Sequence, residues 1–365
     1  MVGVHLVATC DSRREAAEAA ADTFGADYAT PDLDRILADD TIEAVVIAVR
    51  DDLQAPLAIR SIKAGKHVYV EKPLAGTPEA CRAVTTVQQH TGRRLAVGFN
   101  KRFAPAYRMA FDVIKADGGP RNLHLQMADD AWRWLRNYPP GHLIKLDACH
   151  LFDLVSWLSG SEIVTVFAAE SRKDDDAILL KTENGCVATI TLSAHGTMDM
   201  PKERLYAICQ RGGVVVEDYI EVRTHGYPDY PATTVFPYTI PPPAAFLRPT
   251  GTGDCSLQNW RQLRRSFWEL LESIRSGAID SEPYADEAKA YAESHIPNFF
   301  RNQGWHDALH GFLQGIRNDR PTPHATAHDA LLAAEVTDAA VLSRQTGKAI
   351  HLHPKREPDA ETLRR

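Results

Sequence analysis

The sequence predicts two kinds of sheet in one chain: an α/β part built on a doubly wound parallel sheet, then an α+β part with a large, mostly antiparallel sheet and helices. Three observations carry this. The chain has 365 residues, enough for about two domains. Strand-like and helix-like stretches alternate over residues 1–118, the rhythm of parallel strands with crossover helices. Beyond Asp117-Gly118-Gly119-Pro120 the rhythm changes to short strands joined by tight turns, which pair antiparallel.

The elements follow in order. Val4–Thr9 is a short apolar run ending at Asp11, and Ser12–Phe24 is a helix with Ala17, Ala20, Ala21 and Phe24 on one face and Gly25 as its stop. Pro31–Ala38, Gln54–Gly65 and Thr77–Thr91 read as helices, and Ile42–Val49, His67–Val70 and Arg94–Gly98 as strands. In the second part, residues 119–365, the pattern predicts a helix at Ala148–Leu158. Strands follow at Ile163–Ala169, Ala177–Thr182, Val187–Ser193, Arg204–Gln210, Val214–Val216 and Tyr219–Arg223. Glu183-Asn184-Gly185 and Arg211-Gly212-Gly213 are turn signals. Pro237–Pro249 is a loop, because Pro241-Pro242-Pro243 lacks backbone donors. Leu257–Gly277, Tyr284–Gly304, Trp305–Asn318 and Ala327–Thr346 read as helices, Ile350–Leu352 as a last strand, and the charged tail from Pro354 as frayed. A short echo between Trp268–Gly277 and Gly311–Asp319 reflects two amphipathic helices of similar face, not a solenoid repeat.

Composition excludes several classes. Lys plus Arg is 41 against 48 Asp plus Glu, a formal charge of −7, so no basic excess exists to displace phosphate counterions from nucleic acid. The longest apolar runs, such as Ala44–Val49, fall far short of the ~20 residues of a membrane-spanning helix. Six cysteines are scattered without a CxxC pair, which predicts reduced thiols in a cytoplasmic protein rather than a disulfide framework or zinc site. No basic segment precedes an apolar one at the start, so no signal peptide is expected.

The most informative string is Gly65-Lys66-His67-Val68-Tyr69-Val70-Glu71-Lys72-Pro73-Leu74. A strand delivers Glu71 and Lys72 to the C-terminal edge of a parallel sheet, where open α/β folds place their ligands. Proline restrains the backbone of Lys72, and partial desolvation there lowers an ammonium's pKa enough for proton relay or for polarising a hydroxyl.

AGKHVYVEKPLA, followed about 25 residues later by Ala96–Phe103 (AVGFNKRF), resembles the Gfo/Idh/MocA family of NAD(P)-dependent oxidoreductases, which includes glucose-fructose oxidoreductase and inositol 2-dehydrogenase. The resemblance extends through Ile42–Val49, Ala55–Gly65 and Asp147–Leu154 to Thr346-Gly347-Lys348. It implies a Rossmann-like dinucleotide-binding domain over 1–118 and a substrate-binding and oligomerisation domain over 119–365. It also implies that Lys72 lies near nicotinamide and substrate, with a cis bond to Pro73, and that His150 is the acid/base histidine. An imidazole of pKa near ~6.5 suits that proton transfer. Family members of the inositol dehydrogenase type carry an Asp four residues before this histidine; here that position is Leu146 and the acid is Asp147, three residues before. Both spacings fall on one helix face, so Asp147 is expected to support His150.

The family opens with a strand and a GxGxxG-type loop that holds the dinucleotide pyrophosphate. Here Met1–His5 reads into the family's second strand, which leads to the expectation of a shortened start, with loss of cofactor holding as the alternative. Gly251-Thr252-Gly253 lacks the third glycine and a preceding strand, and is a decoy. Asp11 ends the strand where an acid bonds adenosine ribose hydroxyls, while Ser12, Arg13 and Arg14 leave NAD or NADP open; Asp11 or Ser12 as a plain helix cap is equally compatible. The family's Thr-Pro-Asn is Val49-Arg50-Asp51 here and its following histidine is Gln54, so cofactor contacts are expected from Val49, Asp51, Gln54, Glu71 and Lys72. Substrate contacts are expected from Lys72, Asn100, Trp132, Arg133 and His150. Trp132, Arg133, Trp134, Arg136 and Tyr138 suit a polyol, or else are core aromatics with solvated arginines. His306-Asp307-Ala308-Leu309-His310 mimics a metalloprotease helix, but its acid is a methylene short and no third ligand follows, so no metal is expected.

These residues predict an oxidoreductase acting on a secondary hydroxyl of a sugar, inositol or related polyol, with Lys72, His150 and Asp147 catalytic. The resemblance implies a homo-oligomer, dimer or tetramer, and the composition predicts neither a nucleic-acid nor a membrane partner. The alternatives are a non-catalytic sugar- or nucleotide-sensing protein on the same scaffold, and a glycoside-processing enzyme that recycles its bound NAD.

Overall fold

The computed structural model describes residues 1, 3–128, 141–196, 200–236 and 302–352. The chain packs as two compact units, Met1–Phe99 with His306–Glu335, and Asn100–Trp305 with Val336–Arg365.

The first unit is built from β1 (Ala8–Cys10), α1 (Arg14–Phe24), β2 (Tyr28–Thr30), α2 (Leu33–Ala38), β3 (Ala44–Ile47), α3 (Asp51–Lys63), β4 (His67–Val70), α4 (Pro78–Thr91) and β5 (Leu95–Val97). Strand β2 had no signal in the sequence pattern, and β1 begins later than the apolar run that announces it. All pairings between strands are parallel, but they form two sheets, β1-β2 and β3-β4-β5. Val68, Tyr69 and Val70 of β4 are fully buried, because β4 is the central strand and α3 lays Ala55, Ala58 and Ile62 in the core. Helix α4 shows why its ends are sharp: the Thr77 side chain accepts from Ala80 N–H, Pro78 opens the first turn, and Gly92 closes the helix in the left-handed conformation. The C-terminal part returns to this unit. Phe312 of α8 (Trp305–Arg317) packs on Tyr69 with ring centroids 5.8 Å apart, and Ala325 bridges to Val97.

The second unit holds a nine-stranded sheet in the order β13-β12-β11-β10-β6-β9-β8-β7-β14. Its strands are β6 (Asn122–Ala128), β7 (Ile163–Arg172), β8 (Asp175–Thr182), β9 (Val187–Ser193), β10 (Glu203–Ile208), β11 (Gly213–Glu217), β12 (Glu221–His225), β13 (Thr233–Val235) and β14 (Ile350–His351). Neighbouring strands pair antiparallel except β6 and β9, which pair parallel with β7 and β8 lying between them in the chain. Burial alternates along β8, β9 and β10, so one face is covered and the other open. The sequence pattern showed neither β6 nor α5 (Pro105–Ala116), which packs on β11 and β12 and joins this unit. Helices α6 (His142–Leu146) and α7 (Ala148–Ser159) precede β7. Helix α9 (Ala327–Thr346) follows the predicted bounds. The predicted Pro237–Pro249 loop, the Leu257–Gly277 helix, the Gly251 motif, the Pro354 tail and all but the last three residues of the predicted Tyr284–Gly304 helix lie outside the described residues.

Candidate functional site

In the first unit, the predicted cofactor residues other than Gln54 follow the C-terminal ends of parallel strands: Asp11, Ser12 and Arg13 after β1, Val49 and Asp51 after β3, Glu71 and Lys72 after β4. Gln54, expected to contact the cofactor, is instead buried on α3 with its amide on the Pro73 carbonyl. Asp11 Oδ1 accepts the backbone N–H of Arg13 at 2.9 Å, a turn that starts α1 and leaves the carboxylate partly exposed. Ser12, Val49 and Asp51 are exposed, and Arg50 forks the Asp52 carboxylate with Nε and a terminal nitrogen. The residues present suit the ribose end of a dinucleotide through Asp11 and its ring end through Lys72. A half-exposed carboxylate at a strand end is the acceptor that the hydroxyls of a ribose diol require.

Lys72 stands in a turn built by its neighbours, and the Lys72–Pro73 bond is cis as the family resemblance implies. Gln54, 1% exposed on α3, donates from Nε2 to the Pro73 carbonyl at 2.7 Å, and its Oε1 has no partner among the described residues. On the other side, Glu71 Oε2 accepts the Lys72 backbone N–H at 3.2 Å. Burial pushes the Glu71 carboxyl above the usual carboxylate range. That carboxylate lies against Gly98, where an added Cβ would come within 2.9 Å of Oε2. Gly98 lies in the AVGFNKRF string that carries the resemblance, but sequence reasoning assigned it no role.

In the second unit, His150 is buried on α7, and its N–H donates to the carbonyl of Asp147 at 3.2 Å. Helix α7 starts at Ala148 as the sequence pattern predicts, and Asp147 both ends α6 and caps α7. Asp147 therefore meets His150 through a capping carbonyl rather than as a neighbour one turn back along a continuous helix. Behind α7 sits the 3-10 turn Asn100–Phe103. Asn100, a predicted substrate residue, is buried and spends its Nδ2 on the Gln303 carbonyl at 2.7 Å. Gly304 lies against that turn so closely that a Cβ there would collide with the Asn100 carbonyl.

Sequence reasoning missed the charges that support this part. Arg102 forks Asp153, with Nε and a terminal nitrogen 2.8 and 2.5 Å from the two carboxylate oxygens, both side chains buried. Lys101 pairs with Glu203, which also accepts the Tyr219 hydroxyl at 2.6 Å. Burial raises the Glu203 carboxyl, but Lys101, Lys202 and the bonds from Lys101 and Tyr219 outweigh it and hold it below its usual range. Asp147 lies within electrostatic range of Lys101. Tyr219 and its neighbour Asp218 both have left-handed backbones, φ 65° and 52°, and Asp218 Oδ1 accepts the N–H groups of Lys202 and Glu203. Such backbones persist only where surroundings over-determine them. The string Asn100-Lys101-Arg102 carried the signal, but nothing local tells buried charges from solvated ones.

Trp132, Arg133, Trp134, Arg136 and Tyr138 lie outside the described residues. His306 and His310 stack, ring centroids 5.6 Å apart, on an exposed part of α8, and His306 Nδ1 meets Asp307. Among the described residues no group of three or more His, Cys, Asp or Glu could hold a metal ion, and no helix is long and apolar enough to cross a membrane.

Residues 2–99 match a family model described as "Oxidoreductase family, NAD-binding Rossmann fold", and residues 115–215 match the "GFO/IDH/MocA C-terminal domain". The inositol 2-dehydrogenase of Rhizobium meliloti is 33% identical over 231 residues, covering 58% of this chain and 68% of that protein. Inositol 2-dehydrogenase 2 of Saccharopolyspora erythraea is 33% identical over 167 residues, covering 43% and 49%. The chain spans about half to two thirds of the length of the curated relatives it matches. A crystal structure of myo-inositol dehydrogenase from Lactobacillus casei in complex with NAD(H) and myo-inositol shares the fold, with a TM-score of 0.68 and 18% identity over 98% of this chain and 92% of that chain. A putative myo-inositol dehydrogenase from Sinorhizobium meliloti gives 0.67 and 21% over 97% and 93%.

Proposed function

The chain belongs to the Gfo/Idh/MocA oxidoreductase family, and from that premise we propose that it transfers a hydride between a nicotinamide dinucleotide and a secondary hydroxyl of a sugar, inositol or related polyol. The observation that carries the reading is the Lys72 turn: a lysine at the C-terminal edge of a parallel sheet, its flanking peptide groups bonded by buried Gln54 and partly buried Glu71. The inositols named for the relatives supply the substrate class. Asp11 favours NAD, because a carboxylate there bonds ribose hydroxyls and repels a 2′-phosphate.

Asp11, Glu71 and Lys72 are the residues that hold the dinucleotide in this reading, with Ser12, Arg13, Val49 and Asp51 lining the strand ends. When bound, the nicotinamide ring supplies the two-electron acceptor. Lys72 orients the substrate hydroxyl and stabilises charge developing on its oxygen, as a compact ammonium does best. His150 takes the hydroxyl proton, so the carbinol becomes a carbonyl while the imidazole becomes imidazolium. Asp147 supports that cation from the cap of α7. A coupled assay of nucleotide reduction over a panel of polyols tests the assignment. Lys72→Ala and His150→Ala are expected to lower kcat by about 100-fold or more, and wild-type rates in either would overturn it.

Self-association through the open face of the nine-stranded sheet belongs to the same proposal. The register aligns Phe167, Leu179, Thr189, His124 and Tyr206 in one row across five strands, three of them large and more than a third exposed. Tyr206→Glu is expected to dissociate the oligomer, as read by light scattering. A cytoplasmic location is proposed with it, from the cysteine usage.

A further inference from the structure

Gln54 is buried, yet among the described residues only half of its amide is used: Nε2 donates to the Pro73 carbonyl at 2.7 Å and Oε1 has no partner there. The orientation follows from chemistry, because only the NH2 group can bond a carbonyl. A buried amide that leaves its oxygen unpaired is a worse core residue than a methionine or leucine of the same volume. Packing alone therefore does not account for a glutamine here; the donor it gives to Pro73 does.

A second, independent contact acts on the other side of the lysine. Glu71 Oε2 accepts the Lys72 N–H, and the Glu71 carboxylate is itself confined by Gly98, with no room for even a methyl group between them. The peptide N–H of Lys72 and the carbonyl one residue on are thus both tied to side chains of the same unit. An ammonium on a four-carbon stem with freely rotating bonds has little precision of its own. Precision must come from where its Cα is pinned.

We propose that Gln54 is a positioning residue for Lys72, acting through the Pro73 carbonyl. This rests on the reading of Lys72 as the lysine that meets the substrate hydroxyl. Gln54 touches no reacting atom in this scheme; it sets the place and the environment of the ammonium that does.

The test uses the whole chain with Gln54→Met, which keeps volume and loses the donor, and Gln54→Glu, whose carboxyl donates only when protonated. The first readout needs no substrate: the rate at which acetic anhydride modifies Lys72, followed by peptide mass spectrometry with exposed Lys63 as internal reference. Gln54→Met is expected to change the Lys72 rate by about threefold or more while Lys63 stays constant. The second readout is turnover: kcat falls by roughly 10- to 100-fold in Gln54→Met with KM for the polyol little changed. Gln54→Glu regains turnover relative to wild type as the pH is lowered, and Gln54→Met does not. An unchanged Lys72 labelling rate, or the same pH profile in both variants, overturns the positioning role. A wild-type chain that turns over no polyol overturns the hydride-transfer reading instead, and labelling then decides the Gln54 assignment alone.

Discussion

Lys72 and His150 are held in their units by different physical means. Around Lys72 the anchors are a hydrogen bond that Gln54 donates to the Pro73 carbonyl and one that Glu71 accepts from the Lys72 N–H, with a glycine making room for the carboxylate. Around His150 the anchors are ion pairs behind the helix, Arg102 with Asp153 and Lys101 with Glu203, all buried. Neutral and charge-assisted bonds to backbone tune the place of a side chain at little cost if lost. A buried ion pair contributes little net stability when intact, but removing one partner strands a charge in a medium that cannot solvate it. The second unit is therefore expected to be rigid and intolerant around its histidine, and the first adjustable around its lysine.

The largest effect should come from breaking the Arg102–Asp153 pair. Arg102→Leu is expected to destabilise by about 3–5 kcal/mol, read by urea melts, and adding Asp153→Leu should return much of that loss. If the single variant costs no more than the glycine substitution that follows, the contrast between the units fails. Gly98→Ala should cost about 1–3 kcal/mol, because its Cβ drives the Glu71 carboxylate aside. It should also lower kcat more than it raises KM, which steady-state kinetics separates. Tyr219→Phe removes one bond to Glu203 and leaves the Lys101 pair, so a loss of about 1 kcal/mol in a thermal melt sharpens how much of that cluster is ionic.

The smallest effect near neutrality concerns acid. Asp117 accepts the Arg211 N–H and Nε–H and the Tyr227 hydroxyl, and the backbone bond first among these holds its carboxyl down at about 2. A carboxyl depressed by folding leaves the folded chain with fewer bound protons than the unfolded one between the two pKa values. Its contribution is whole above about pH 4 and drains away as the pH falls toward 2. Asp117→Asn should flatten acid unfolding in that window while moving stability at pH 7 in the destabilising direction, as followed by circular dichroism.

Much of the scaffold was legible because its signals are local. Strands β4 and β9 and helix α9 fall at the bounds read from the sequence, since apolar period and capping residues sit within each element. The short strand β2 and helix α5 were not, and β2's three residues are too few to show a period. Lys72 and His150 were found through motif resemblance. Gly98, Arg102, Asp153, Glu203 and Tyr219 were not, because their partners lie 16 to 102 residues away or across a turn.

By itself the sequence determined the alternation of elements, the change from parallel to antiparallel pairing, and the lysine that a strand carries to the edge of its sheet. These depend on hydrophobic period, turn residues and proline, which act over a few neighbouring positions. Only the tertiary structure decided that Asp147 is the joint between two helices, that Gln54 turns inward to Pro73, and that two charged residues of one short turn are buried and paired. Burial and pairing depend on which segments converge in space, and chain-local patterns carry no record of that convergence.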